Sequence, residues 1–167
     1  MSSSRIRSAL GSGLFFAVAP GIVAGLVPWW LTGWEAGTTW PPLQVFGALL
    51  LVAGAIVLVD AFVRFVVEGI GTPAPVAPTQ RLVVGGLYSH VRNPMYLAVG
   101  ATIVGQALLL GRPILLLYAA AFAVAVLAFV QGYEEPTLSA RYGAEYAAYR
   151  RAVPAWWPRL RPWHGES

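Results

Sequence analysis

Two clusters in this sequence carry the residue types that chemistry needs. The first is Arg92-Asn93-Pro94-Met95-Tyr96, with Tyr88 just upstream; the second is the adjacent carboxylate pair Glu134-Glu135. A carboxylate at a helix end suits an ammonium group or sugar hydroxyls. An arginine near free backbone N–H groups at Pro94 suits a carboxylate or another anion. Tyrosine faces suit an aromatic base or a cation. Together they could hold one ligand carrying all three kinds of group, and other anionic or nucleotide ligands could use the same set. Group transfer from such a ligand needs in-line positioning more than acid–base groups.

Each of these residues also has a plainer reading. Tyr88 and Tyr96 alone would be tyrosines of a membrane-interface belt. Glu134-Glu135 alone would be a solvated helix end. Arg92 alone would be a membrane-flanking anchor, and His90 a loop or headgroup contact. It is the ordered set that favours a ligand site.

Composition removes several chemistries. There are no cysteines, so disulfides, thiolate nucleophiles and thiolate metal sites are excluded. The two histidines, His90 and His164, begin no metal-ligand pattern, and no metal is expected. All 11 basic residues are arginine, which excludes a lysine nucleophile or Schiff base. The net charge of +4 could suggest nucleic acid. The arginines, however, are scattered along the flanks of apolar segments, where anionic lipid headgroups account for them better.

The elements that must position the two clusters are apolar. The chain has 167 residues, 57% of them hydrophobic and 11% charged, with mean hydropathy +0.65. A soluble domain carries about 25% charge, so the bilayer is the expected solvent. No linker separates two cores, which predicts a single integral membrane domain over residues 1–167. A spanning helix takes about 20 apolar residues. Leu10 to Leu31, Leu43 to about Val63, Met95 to Leu110 and Ile114 to Val130 meet or approach that length. Ala17-Val18-Ala19 resembles a signal cleavage box, but Pro20 follows it and disfavours cutting, so the first span reads as uncleaved. Asp60, Arg64 and Glu68 share one face of the second span and read as an ion ladder near the interface. Gly69 to Pro78 holds three prolines and cannot be helix. Its Gly69-Ile70-Gly71 reads as flexible loop rather than as a phosphate cradle. Gly111-Arg112-Pro113 should turn the last two spans into a hairpin, and Ala101 with Gly105 permits close helix approach.

Arginine placement orients the bundle. Arg5 and Arg7 precede the first span, Arg64, Arg81 and Arg92 flank the second loop, and five more follow the hairpin. The first loop has no basic residue, and the hairpin turn has Arg112. This predicts four spans with both termini cytoplasmic. In the tail, Leu138, Tyr142, Tyr146 and Tyr149 lie near one helix face, and Trp156, Trp157 and Trp163 are interspersed with Arg159 and Arg161. That composition predicts an interfacial helix capping the hairpin's cytoplasmic mouth. The fold class is therefore all-α: a polytopic membrane bundle of about four transmembrane helices plus a C-terminal interfacial helix.

From Thr72 to Pro158 the chain resembles the isoprenylcysteine carboxyl methyltransferase family and its phospholipid methyltransferase relatives, in a prokaryotic-type form. The resemblance rests on Arg81-Leu82-Val83 leading into Gly86-Leu87-Tyr88, then Arg92-Asn93-Pro94-Met95-Tyr96. The hairpin follows, then Glu134-Glu135, Tyr142-Gly143-Ala144-Glu145-Tyr146, Tyr149 and Val153-Pro154. It implies an integral membrane enzyme of a prokaryotic cytoplasmic membrane. The implied cofactor is S-adenosyl-L-methionine, and the methyl acceptor is a lipid or other lipophilic small molecule entering from the bilayer. The acceptor's reactive group (carboxylate, amine or thiol) stays open. Carried over by position, the implied cofactor contacts are Gln80, Arg81, Leu82, Val83, Tyr88, Asn93, Pro94, Met95, Tyr96, Glu134 and Glu135. Arg92, Asn93 and Glu134 are the implied catalytic residues. Two positions depart from the family. Its Arg-His-Pro is here Arg92-Asn93-Pro94, which removes a titrating histidine. Its eukaryotic members have a substrate-contacting arginine where this chain has Val130. The reading from another class is a non-catalytic membrane accessory or lipid-binding protein, which would need the hairpin and the arginine tail but neither Glu134 nor the Asn93-Pro94 turn.

Overall fold

The structure, a computed structural model, describes residues 18–68 and 81–165, and for residues 65–68 the backbone alone. Gln80, the loop from Gly69 to Pro78, Arg5, Arg7 and the start of the first expected span lie outside the described residues, as does the side chain of Glu68. Among the described residues, all regular structure is helical. We label the helices α1 (Val18–Thr32), α2 (Pro41–Glu68), α3 (Pro94–Leu110), α4 (Ile114–Phe129) and α5 (Glu135–Ala152).

Pro28 shapes α1. It has no N–H to give the carbonyl of Ala24 one turn earlier, and the helix widens into a π turn at Ile22–Leu26. Other helices supply the missing donors. Gln106 Nε2 on α3 donates to the Ala24 carbonyl at 2.6 Å, and the Tyr118 hydroxyl on α4 donates to Val23 at 2.7 Å. In an apolar bundle such side-chain donors re-satisfy the backbone that a proline frees.

Helices α2 and α3 run antiparallel in backbone contact. A β-carbon at Gly47 would collide with the Gly105 carbonyl and Leu109 amide, and one at Gly105 with the Leu51 backbone. The small residue Gly105 is thus used for close approach, with Gly47 as its partner. Farther along, Gly54 meets Ala98 and Thr102, and Ala61 packs with Met95. This pairing brings the end of α2 beside the start of α3, where the candidate residues lie.

The hairpin forms as its turn residues predict. Gly111 caps α3 in the left-handed region, φ +61°, and Pro113 precedes α4. The first loop docks on this turn, with the Gly37 amide donating to Leu110 at 2.7 Å.

The second half of the hairpin is longer than its sequence suggests. The helix expected between Pro136 and Pro154 exists as α5, but it joins α4 without a loop. One helix of 39 residues runs from Ile114 to Ala152 through a π turn at Val130–Glu134. Pro136 falls at the first turn of α5, where a missing N–H costs little. Gly143 then kinks α5, with φ 51° and ψ −120°, and its last turns fold back toward the start of α3.

Pro41–Arg64 and Ile114–Ala152 are long and apolar enough to cross a membrane; Val18–Thr32 and Pro94–Leu110 are apolar but shorter. In each of the two long helices only 17% of the most apolar stretch is buried, whereas a soluble core helix would be mostly buried. At 1.5 Å per residue the Ile114–Ala152 helix is about 58 Å long. A hydrocarbon core of about 30 Å takes about 20 residues, so this helix is longer than one crossing needs.

Candidate active site

Two carboxylates adjacent in sequence meet different partners. Glu134 ends the π turn and Glu135 begins α5, so their side chains diverge around the helix, by about 100° in a regular turn. Glu135 is neutralised twice: Arg92 Nη1 donates to it at 2.6 Å and Arg150 Nη2 lies 3.1 Å from its other oxygen. The Arg92–Glu135 pair is enclosed, with side chains only 11% and 13% exposed. Arg92 Nη1 also donates to the Tyr146 hydroxyl at 3.1 Å.

Glu134 has no such partner. The Tyr96 hydroxyl, on the first turn of α3, donates to its Oε2 at 3.0 Å. Among the described residues no cation pairs with it. Burial raises its pKa above the usual carboxylate value; the Tyr96 bond opposes that shift and the neighbouring charge of Glu135 adds to it. This carboxylate is partly desolvated, held in place by a neutral donor and short of a counter-charge.

The floor of the site is apolar. Val83, Tyr88 and Met95 pack with Ala61 in one buried cluster. Tyr88 belongs to a 3-10 turn, Gly86–Ser89, that leads into α3, and burial pushes its phenol pKa up, keeping it neutral. Pro94 opens α3, where its fixed φ suits a helix start.

A strap closes one side. After α5 the chain turns back along residues 89–93. Arg92 N–H donates to Pro154 at 2.9 Å, Arg159 N–H to His90 at 2.9 Å and Trp163 N–H to Ser89 at 3.0 Å. Asn93 Nδ2 donates to the Ala155 carbonyl at 3.2 Å. His90 Nδ1 lies 2.7 Å from the Arg159 carbonyl, which makes that nitrogen the donor. Beneath the strap, Tyr146, Tyr149 and Val153 form a core with Leu82 and Val84, and the Tyr149 hydroxyl donates to the Tyr88 carbonyl at 2.7 Å.

The residues implied from sequence therefore fall into distinct places. Tyr96 and Glu134 touch; Arg92 and Glu135 touch; Val83, Tyr88 and Met95 share a cluster. Leu82 packs under the strap instead, Arg81 is exposed, and the Asn93 amide is engaged by the strap. Sequence reasoning did not assign Arg150, Tyr146 or the strap carbonyls to the site. The spacing of Tyr146 and Tyr149 on one helix face was the signal for the tyrosines; backbone carbonyls leave none.

Glu134 lacks a cation among the described residues. Among the described residues, Arg92 Nε is the buried side-chain polar atom without a hydrogen-bond partner. No group of three or more His, Cys, Asp or Glu side chains able to hold a metal occurs among the described residues.

A family model, phospholipid methyltransferase, matches residues 43–145. The chain belongs to the phospholipid methyltransferase family. That family and the two long apolar helices make it a membrane methyltransferase. The match covers α2, α3, α4 and the start of α5, and so includes Arg92, Tyr96 and both carboxylates; α1 and the strap lie outside it. No curated protein and no solved structure matched the chain.

Proposed function

We propose that this family member transfers the methyl group of S-adenosyl-L-methionine to a lipophilic acceptor that enters from the bilayer. The observation that carries the reading is the asymmetry of the acidic pair. Glu135 is neutralised by Arg92 and Arg150, while Glu134 keeps a tyrosine hydroxyl and lacks a cation among the described residues. A cationic amino acid moiety is the complement of that carboxylate. Arg92 Nε, buried and without an acceptor, suits the carboxylate of the same moiety, and Tyr88 and Met95 supply an apolar wall.

When bound, the cofactor would supply an activated methyl on a sulfonium. The chain's own part is to hold and orient: Glu134 fixes the ammonium end, Tyr96 fixes Glu134, and the strap keeps the start of α3 in place and excludes water. The acceptor's reactive group is a carboxylate, an amine or a thiol. The residues that do this fall within 72–158, inside a single membrane domain. Its four apolar helices cross the membrane with both termini cytoplasmic, and α5 lies in the headgroup layer.

Calorimetric titration of purified protein with S-adenosylmethionine tests the reading, followed by incubation with radiolabelled cofactor and a lipid extract. Saturable binding and label in the lipid phase are expected. A protein that binds no cofactor would be a non-catalytic accessory or lipid-binding member of the family.

A further inference from the structure

The strap has two sides, and the site accounts for only one of them. On the inner side, Arg159 and Trp163 donate their backbone N–H groups to His90 and Ser89. Val153 is fully buried, and the Trp163 ring packs on Tyr149 with centroids 5.5 Å apart. Left uncovered are Trp157, 81% exposed, and Leu160, 98% exposed, the two most exposed large apolar side chains among the described residues. Leaving such surface in water is unfavourable.

Charge and position select what covers it. From Arg150 to Trp163 the sequence has four arginines and no acidic residue. Arg150 is engaged by Glu135, and Arg159 donates to the Ala152 carbonyl. Arg151 and Arg161 are exposed and pair with no carboxylate among the described residues. The strap runs beside residues 89–93, level with Pro94, where the apolar helix α3 begins. A bilayer around α3 passes from hydrocarbon to headgroups at that level. Tryptophan and leucine set among arginines there match an anionic leaflet: the apolar side chains enter the upper acyl region and the guanidiniums meet lipid phosphates.

The face is also preorganised. Pro154, Pro158 and Pro162 fix φ at every fourth residue, which lowers the ordering cost of docking.

We propose that the outer face of the strap docks on an anionic leaflet through Trp157, Leu160, Arg151 and Arg161, and that this docking holds the strap down on residues 89–93. The docking stands apart from the methyltransferase reading; its effect on cofactor affinity rests on that reading. Methyl transfer would then respond to the surface charge of the membrane without a lipid entering the site.

The sequence has no cysteine, so Leu160→Cys accepts a single nitroxide label at an exposed position. The labelled full chain is placed in nanodiscs of phosphatidylcholine, with and without phosphatidylglycerol. Collision of the label with a neutral, water-soluble nickel chelate should fall at least threefold in the anionic discs. Adding Arg151→Gln and Arg161→Gln should reverse most of that fall, each arginine contributing about fivefold near an anionic surface. Equal collision rates in the two discs, or a fall that the double substitution leaves intact, overturns the docking; a label that stays aqueous in both would leave the face to an acidic protein partner. S-adenosylmethionine affinity in the neutral discs, within twofold of the parent, reports an intact fold. If the double variant fails to fold, Trp157→Ser takes its place with the same expectation. The ratio of cofactor affinities, anionic over neutral discs, should fall at least threefold in the variant. The charged surface concentrates the cationic cofactor equally for both proteins, so an unchanged ratio overturns the coupling. Absence of cofactor binding by the parent would instead remove the methyltransferase reading, and the collision rates would still decide the docking.

Discussion

Tyr96 and Glu134 lie 38 residues apart and meet at 3.0 Å, the hydroxyl of one helix donating to the carboxylate at the π turn of another. The bond fixes where the carboxylate points without neutralising it. A lysine or arginine at that place would occupy the position that a cationic ligand needs. Replacing Glu134 with Gln keeps the shape and removes the charge. The loss of a charge-assisted hydrogen bond, about 1.5–3 kcal/mol, corresponds to roughly tenfold to hundredfold weaker cofactor binding. Calorimetry on the variant gives the number, and unchanged affinity would remove the principal support for the site.

Glu135→Gln should act on stability before affinity. It leaves Arg92, whose side chain is 11% exposed, with a neutral partner in place of a carboxylate. The expected cost is about 1–3 kcal/mol, or a drop in Tm of several degrees for a chain of this size. Thermal unfolding in detergent measures it. Cofactor affinity of the folded fraction should fall clearly less than in Glu134→Gln, and equal losses would mean the two carboxylates act as one diffuse patch.

The raised pKa of Glu134 gives a pH dependence with opposite signs for folding and binding. Between the ordinary glutamate value of about 4.3 and the higher folded value, the folded protein keeps a proton that the unfolded chain releases. The stability from this group is therefore complete at low pH and declines as pH rises through that window. Cofactor affinity should rise over the same direction, because the ammonium needs the ionised carboxylate. Binding profiles of the parent and Glu134→Gln, measured from pH 4 upward, separate the effect: the variant's should be flatter. Identical profiles would show that another group titrates.

Ending the chain after Ala152 removes the strap and its bonds to Ser89, His90, Arg92 and Asn93 while leaving every helix. Cofactor binding should fall at least tenfold, with helical content by circular dichroism near that of the full chain. Retained affinity would make the strap a membrane anchor alone.

Close packing of α2 on α3 sets the distance between Asp60 and the start of α3. Gly105→Val would force side-chain atoms into the Leu51 backbone. Overpacking of this kind costs about 1–3 kcal/mol, read as a lower Tm, and a neutral result would mean the two helices can separate.

Local chemistry was the legible part of the sequence. Gly111 and Pro113 announce the hairpin because a left-handed cap and a helix start each need one particular residue. Asp60 and Arg64 announce an ion pair because four residues make one turn. Tyr96 and Glu134 were legible as members of an ordered set, though their contact was not. What stayed hidden depends on the backbone or on distant partners. The π turn at Val130–Glu134 has an ordinary composition, so the continuity of α4 with α5 had no signature. The strap binds largely through main-chain groups, and Gly86 makes room for Arg64 by lacking a β-carbon. Neither feature alters a side-chain pattern.

The π turn in α1 has a consequence for the order of assembly. Its carbonyls at Ala24 and Val23 are met by Gln106, 82 residues later, and by Tyr118, 95 residues later. During synthesis α1 is complete long before either donor emerges from the ribosome. Until then its two carbonyls must find water or a helper, which argues against full burial in lipid at that stage. Although α1 precedes the other described helices in the chain, it cannot lock until the hairpin that carries both donors has been made.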